Sequence, residues 1–139
     1  MSAIYTANVH VTGGRNGHAR SSDGLIDFDL ALPKALGGKE NATNPEQLFA
    51  AGYAACFQSA LAFIAKKQGA ALTDSAIDAR VSLHDNGAGG FKLAVALDVE
   101  TAGLDQAGAE SLVAAAHQVC PYSNAVRGNV DVAITVKAR

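Results

Sequence analysis

The chain has two cysteines, Cys56 and Cys120, and its chemistry depends on whether these thiols react, hold a metal or merely fill space. By three- and four-residue spacing Cys56 shares a helical face with Phe49, Gly52, Tyr53, Ala60 and Phe63. In such surroundings the plain reading is a small hydrophobe in a core, and burial raises a thiol pKa. Cys56 is also about twelve residues into its predicted helix, too far from that helix's N-terminus to gain from the dipole, so a reactive Cys56 requires a cation brought to it. Arg15, in the glycine-rich stretch Thr12-Gly13-Gly14-Arg15-Asn16-Gly17, is the candidate, because a guanidinium stays charged when desolvated. Glu46 is its candidate counter-ion. Glu46 and Cys56 are ten residues apart, about 15 Å of helical rise, so one guanidinium can hardly touch both from the same helix. If the three groups meet, Glu46 is expected from a second subunit's helix.

Cys120 stands directly before Pro121 at the end of a predicted helix, where the dipole disfavours a thiolate; this suits a resolving thiol better than an attacking one. The cysteines are 64 positions apart, and a bridge forms only if the fold brings their Cα atoms within about 7 Å. A metal site needs more ligands than these thiols supply. His117, three residues before Cys120, is expected on the helix surface, and no metal is predicted.

The elements that would carry these residues follow from periodicity and punctuation. Tyr5 to Val11 alternates as a strand and leads into the glycine-rich turn with Arg15 at its tip; a second strand pair is predicted around His18 to Ser22 and Leu25 to Leu32. Asn44-Pro45-Glu46 reads as a helix start, with an N-cap side chain, Pro at the first position and an acid in the first turn. That helix is predicted to reach Lys66-Lys67-Gln68, with Gly69 as its cap. Leu48 to Ala65 holds eighteen residues without a charge, close to the minimum for a membrane span, but its small-residue mixture is only weakly hydrophobic. The preferred reading is a helix buried on every side, partly by a second subunit. Ser75 to His84 and Phe91 to Glu100 flank Asp85-Asn86-Gly87-Ala88-Gly89-Gly90 as a hairpin; no helix opens behind that turn, so it is not a phosphate loop. Asp105 to about Val119 is predicted as an amphipathic helix stopped by Pro121, and Val130 to Val136 as a closing strand. The order gives one α+β domain over residues 1–139.

Composition narrows the function classes. At 139 residues the chain suits one core, and 49% hydrophobic against 17% charged residues suggests that something besides water covers part of the surface, self-association being the simplest candidate. A net charge of -2 with no basic run argues against nucleic-acid binding. Met1-Ser2-Ala3-Ile4-Tyr5 lacks the pattern of a signal peptide, so the expected location is cytoplasmic, where two cysteines would not form a permanent staple.

Three segments carry a resemblance to a known family. Thr43-Asn44-Pro45-Glu46-Gln47-Leu48-Phe49-Ala50-Ala51-Gly52-Tyr53-Ala54-Ala55-Cys56-Phe57 resembles the organic hydroperoxide resistance branch of the OsmC-like family, as does Cys120-Pro121-Tyr122-Ser123-Asn124-Ala125-Val126-Arg127-Gly128-Asn129. Gly13-Gly14-Arg15-Asn16-Gly17-His18-Ala19-Arg20-Ser21 is similar to that branch's arginine loop, departing from it in Asn16, where an acid is common. The resemblance implies an OsmC-like α+β fold, an intertwined homodimer with long central helices packed against antiparallel sheets, and a peroxidase acting on organic hydroperoxides. It implies Cys56 as peroxidatic and Cys120 as resolving cysteine, with Arg15 and Glu46 as the activating pair. It further implies no resident cofactor and an external dithiol reductant, lipoylated protein being the implied donor. An apolar lining from Phe49, Tyr53, Phe57 and Tyr122 would favour alkyl or fatty-acid hydroperoxides. Two other readings stay open on the residues alone: a binding module in which Arg15 and an apolar pocket hold a fatty acid or similar carboxylate beside inert cysteines, and a structural dimer with buried thiols.

Overall fold

A computed structural model describes residues 1–139, which form two compact units, residues 1–48 and 49–139. In the first, β1 (Val9–Thr12), β2 (His18–Ser21) and β3 (Asp27–Asp29) make a three-stranded antiparallel sheet in that order. The predicted hairpin forms, and Arg15 sits in its connection as the middle residue of a single 3-10 turn, Gly14–Asn16. The strands are shorter than alternation suggested. Tyr5 lies outside β1 and is exposed, and only three residues of the Leu25 to Leu32 stretch join the ladder. His18 bonds Asp29 through Nδ1 at 2.8 Å and Asp27 through Nε2 at 2.6 Å, which ties β2 to β3 by side chains as well as backbone. Beyond β3, Leu30 pairs with Thr43 in an isolated parallel bridge that leads the chain to the start of the long helix.

That helix, α1, spans Pro45–Gln68 as predicted. Asn44 caps it, its Oδ1 accepting from the Gln47 backbone N–H at 2.9 Å, and Gly69 follows it with a positive φ of 65°. The unit boundary falls inside α1, after Leu48. Within the single chain Tyr53, Phe57, Ala60, Leu61, Ile64 and Ala65 are buried, while Ala51, Ala55, Ala62 and Phe63 are exposed. By length and composition α1 could cross a membrane, although 33% of its most apolar window is buried within the chain.

In residues 49–139, β4 (Asp74–Asp85) and β5 (Phe91–Ala102) form a long antiparallel hairpin. Asn86 builds its turn, Oδ1 accepting from Ala88 and Gly90 N–H at 2.9 Å each, while Gly87 and Gly89 take φ values of 76° and 84° that L side chains rarely adopt. Next come α2 (Gln106–Val119), capped by Asp105, then α3 (Pro121–Val126) and β6 (Asp131–Ala138). Two features differ from the sequence reading. Pro121 stops α2 but also starts α3, and β6 joins β5 in parallel, so the sheet of order β4-β5-β6 is mixed where antiparallel sheets were expected. A strand's alternation reports which face is buried and not the direction of its neighbour. One face of this sheet, through Val95, Leu97 and Val99, packs with Leu61, Ile64, Leu112, Val113 and Ala116 into a single core that also holds Tyr53, Phe57 and Cys120.

Two substitutions test this account. Leu97→Ala empties a fully buried position and is expected to cost about 2–5 kcal/mol in urea denaturation. Asn44→Ala removes the cap of α1 and is expected to cost about 1 kcal/mol, read from the same transition.

Candidate active site

Arg15 and Glu46 meet within residues 1–48. The guanidinium donates from one terminal nitrogen to Glu46 Oε2 at 2.7 Å and from the other to Oε1 at 2.6 Å, a two-bond fork. Mutual hydrogen bonding raises the Arg15 pKa and lowers that of Glu46 below its ordinary value. The pair forms inside one chain, between the arginine loop and the first turn of α1. The 3-10 turn curls the arginine loop toward the first turn of α1, and Glu46 belongs to that turn.

Cys56 and Cys120 meet within residues 49–139. Both are free thiols, Cys56 half-buried on α1 and Cys120 fully buried between α2 and α3. Cys56 packs against the core that holds Cys120, and Cys120 is near enough to influence the ionisation of Cys56. Burial pushes the Cys56 thiol above its ordinary pKa, the neighbouring Cys120 adds to the rise, and a hydrogen bond from the Tyr122 backbone N–H opposes it. The last contact was not anticipated. Tyr122 is in the first turn of α3, where backbone N–H groups lack partners within their own helix, so Cys56 gains help from another helix's N-terminus although it is far from its own. The signal was present in the sequence: a proline one residue after Cys120 marks a helix start as readily as a helix stop.

The four predicted lining residues gather around the cysteines as an aromatic cluster. Tyr122 lies 5.9 Å from Phe49 and 5.6 Å from Tyr53 between ring centroids, and Tyr53 lies 6.3 Å from Phe49 and 6.5 Å from Phe57. Tyr53 and Phe57 are fully buried, whereas Phe49 is half-buried and Tyr122 is 37% exposed, so the last two offer the accessible apolar surface. Gly52 makes room for this cluster. A Cβ there would lie 2.6 Å from the Tyr122 hydroxyl oxygen and 3.1 Å from its Cζ, so the ring must move if the position gains a side chain.

His117 is not the surface histidine expected from its helix position. Its Nδ1 is 2.8 Å from Ser123 Oγ, which is itself 2.8 Å from the Tyr53 hydroxyl, and its ring packs 6.3 Å from that of Phe57. Arg127 donates to the His117 carbonyl at 2.6 Å. Burial and that guanidinium hold the imidazole below its ordinary pKa. No grouping of His, Cys, Asp and Glu in the chain is fit to hold a metal.

The comparisons with known proteins agree with these features. A family model described as OsmC-like protein matches residues 37–135. The organic hydroperoxide resistance protein OhrB of Bacillus subtilis is 53% identical over 136 residues, 97% of this chain and 99% of that protein. The organic hydroperoxide resistance protein of Xanthomonas axonopodis pv. citri is 48% identical over 96% of this chain and 94% of its own length. Among solved structures, an organic hydroperoxide resistance protein OsmC from Legionella pneumophila superposes with a TM-score of 0.95 at 55% identity, covering 98% of this chain and 99% of its own. With the fold shared along nearly the whole chain and the cysteines brought together by that fold, this protein belongs to the OsmC-like family.

Proposed function

We propose that the chain is a thiol peroxidase that reduces organic hydroperoxides to alcohols. The observation that carries this reading is that the half-buried Cys56 and the buried Cys120, distant in sequence, are free thiols packed in one core. Relatives at about half identity that are named for organic hydroperoxide resistance support the substrate class.

On this reading the Cys56 thiolate attacks the distal oxygen of the hydroperoxide. The O–O bond breaks, the departing alkoxide takes a proton to become an alcohol, and Cys56 is left as a sulfenic acid. Cys120 then attacks the Cys56 sulfur. An S–S bond forms, the S–O bond breaks, and the Cys120 proton leaves with the oxygen as water. An external dithiol, for which lipoyl groups on a protein are the proposed source, exchanges with the disulfide and restores both thiols. Arg15, held by Glu46, is the proposed cation that favours the Cys56 thiolate and steadies charge on the leaving oxygen. Phe49 and Tyr122 present apolar surface to the alkyl part, and about 0.8 kcal/mol per buried methylene is enough to prefer an alkyl hydroperoxide over hydrogen peroxide. The proposed assembly is a cytoplasmic homodimer, in which a second copy covers apolar residues exposed on α1.

The deciding experiment mixes anaerobically reduced protein with cumene hydroperoxide and follows free thiols and intact mass. Loss of both thiols with the mass of two hydrogens, faster than with hydrogen peroxide, is the expected result; two surviving thiols would overturn the proposal. Cys120→Ser is expected to stop at a Cys56 sulfenic acid that dimedone traps. For Arg15→Ala the expected loss in the first step is on the order of 10²-fold. The sign of its pH effect follows from burial. Burial raises the Cys56 pKa, so removing a cation that opposes the rise moves the rate inflection to higher pH. An unshifted inflection would take Arg15 out of thiolate activation.

A further inference from the structure

The bond between Tyr53 and Ser123 lies one helical turn from each cysteine. Tyr53 is three residues before Cys56 on α1, and Ser123 is three residues after Cys120 in α3. Tyr53, Ser123 and Cys120 are each fully buried, so the Tyr53 to Ser123 contact at 2.8 Å is a water-free tie between the elements that carry the two sulfurs. Ser123 Oγ also contacts His117 Nδ1 at 2.8 Å, and the half-buried imidazole ends the chain. None of these three residues is required by the peroxidase steps above, yet a buried polar network of this kind is costly unless each member is satisfied.

We propose that Tyr53, Ser123 and His117 are positioning residues for disulfide formation, holding the Cys120 turn against the Cys56 helix in an orientation set from the histidine end. The inference rests on the proposed use of Cys56 and Cys120 as a reacting pair. Each hydroxyl in the chain has one proton, so the ends decide its direction. When neutral His117 accepts at Nδ1, Ser123 donates to it and Tyr53 donates to Ser123. When His117 carries a proton at Nδ1 it must donate to Ser123; Ser123 then donates to Tyr53, and the phenolic proton turns away from Ser123. Tyr53 shares one core with Cys120 and the packed Cys56, which places the reversal beside the sulfurs. The relay gains and loses no net proton in the disulfide step, because the Cys120 proton leaves in the water.

The ionisable groups around the imidazole come from three elements. Arg127, in the turn after α3, favours the neutral form; Tyr53 on α1 is coupled to it through Ser123; Cys56 and Cys120 lie beyond Tyr53. The folded His117 value is lowered, so on the proposal, with the neutral ring accepting at Nδ1, the chain reverses as pH falls through that lowered value.

The test separates the two chemical steps by stopped flow with cumene hydroperoxide. It then repeats the coupling with diamide, which joins two thiols without a peroxide. Ser123→Ala is expected to slow disulfide formation on the order of tenfold more than sulfenic acid formation, since a small misplacement of reacting atoms is costly. His117→Asn can keep a hydrogen bond to Ser123 but cannot titrate. It is expected to retain most of the wild-type disulfide rate while losing the acid-side inflection. Wild-type disulfide rates in Ser123→Ala with both reagents, or an unchanged inflection in His117→Asn, would overturn the inference and leave the peroxidase standing. If cumene hydroperoxide leaves the thiols intact but diamide coupling is slowed in Ser123→Ala, the peroxidase reading falls and the positioning role holds. A purely structural role predicts parallel losses in both steps and no change in pH profile.

Discussion

The cysteine site depends on what Pro121 does to the backbone of Cys120. Proline has no N–H to continue α2, and its ring pushes the preceding residue out of helical conformation; Cys120 takes φ −62° and ψ 121°. The same residue closes α2 and caps α3. From that break come an N–H of the new helix for Cys56, a hydroxyl for Tyr53 and a ring for the aromatic cluster. Had α2 continued straight through this position, the residues after Cys120 would have been carried along its axis and these contacts would not form. One imino acid therefore decides whether a buried thiol becomes part of a site.

Two opposed effects set the resting state of Cys56. Desolvation is the larger and keeps the thiol protonated; the Tyr122 N–H is the smaller and favours the anion. A half-buried thiol of this kind is protected from indiscriminate oxidation, since the thiolate is the nucleophile. Arg15 and Glu46 are in a contrasting state. Their two-bond fork already satisfies both charges, and Glu46 is held ionised below the usual carboxylate range, so their charge is fixed over ordinary pH. On the proposed mechanism the thiol is the group that must change protonation, while the charge on Arg15 is already settled by Glu46.

What could be read from the sequence divides along physical lines. Asn44, Pro45 and Gly69 mark the ends of α1 because capping is local chemistry, and the β4-β5 hairpin follows from Asn86 and its glycines for the same reason. The pairing of Arg15 with Glu46 was suggested by residue type, but its origin in one chain was not, because helix geometry constrains Glu46 against Cys56 and says nothing of where a loop arginine reaches. The link between Ser123 and His117 was not legible, and His117 was expected on the helix surface. A serine in a six-residue helix and a histidine near a helix end have no periodic signature, and their meaning comes from a contact with Tyr53 some 70 positions away. The parallel pairing of β6 was hidden likewise, since α2 and α3 form the crossover that returns the chain to the starting end of β5.

The uncharged stretch in α1 shows why composition alone could not decide its surroundings. A helix apolar on every side is compatible with a core, a bilayer or a neighbouring subunit, and hydropathy ranks all three alike. Side-chain size carries the distinguishing detail. The buried face holds the large residues Tyr53, Phe57, Leu61 and Ile64; the exposed residues are mainly small or polar, Ala51, Ala55, Gln58, Ser59 and Ala62, with Leu48 at 38% and Phe63 at 61% exposure the large apolar exceptions. Small residues expose little apolar area and let another backbone come close, while long lipid-facing side chains are missing from most of that face. The pattern favours protein over lipid as the cover for α1, which is the cover the proposed second copy would supply.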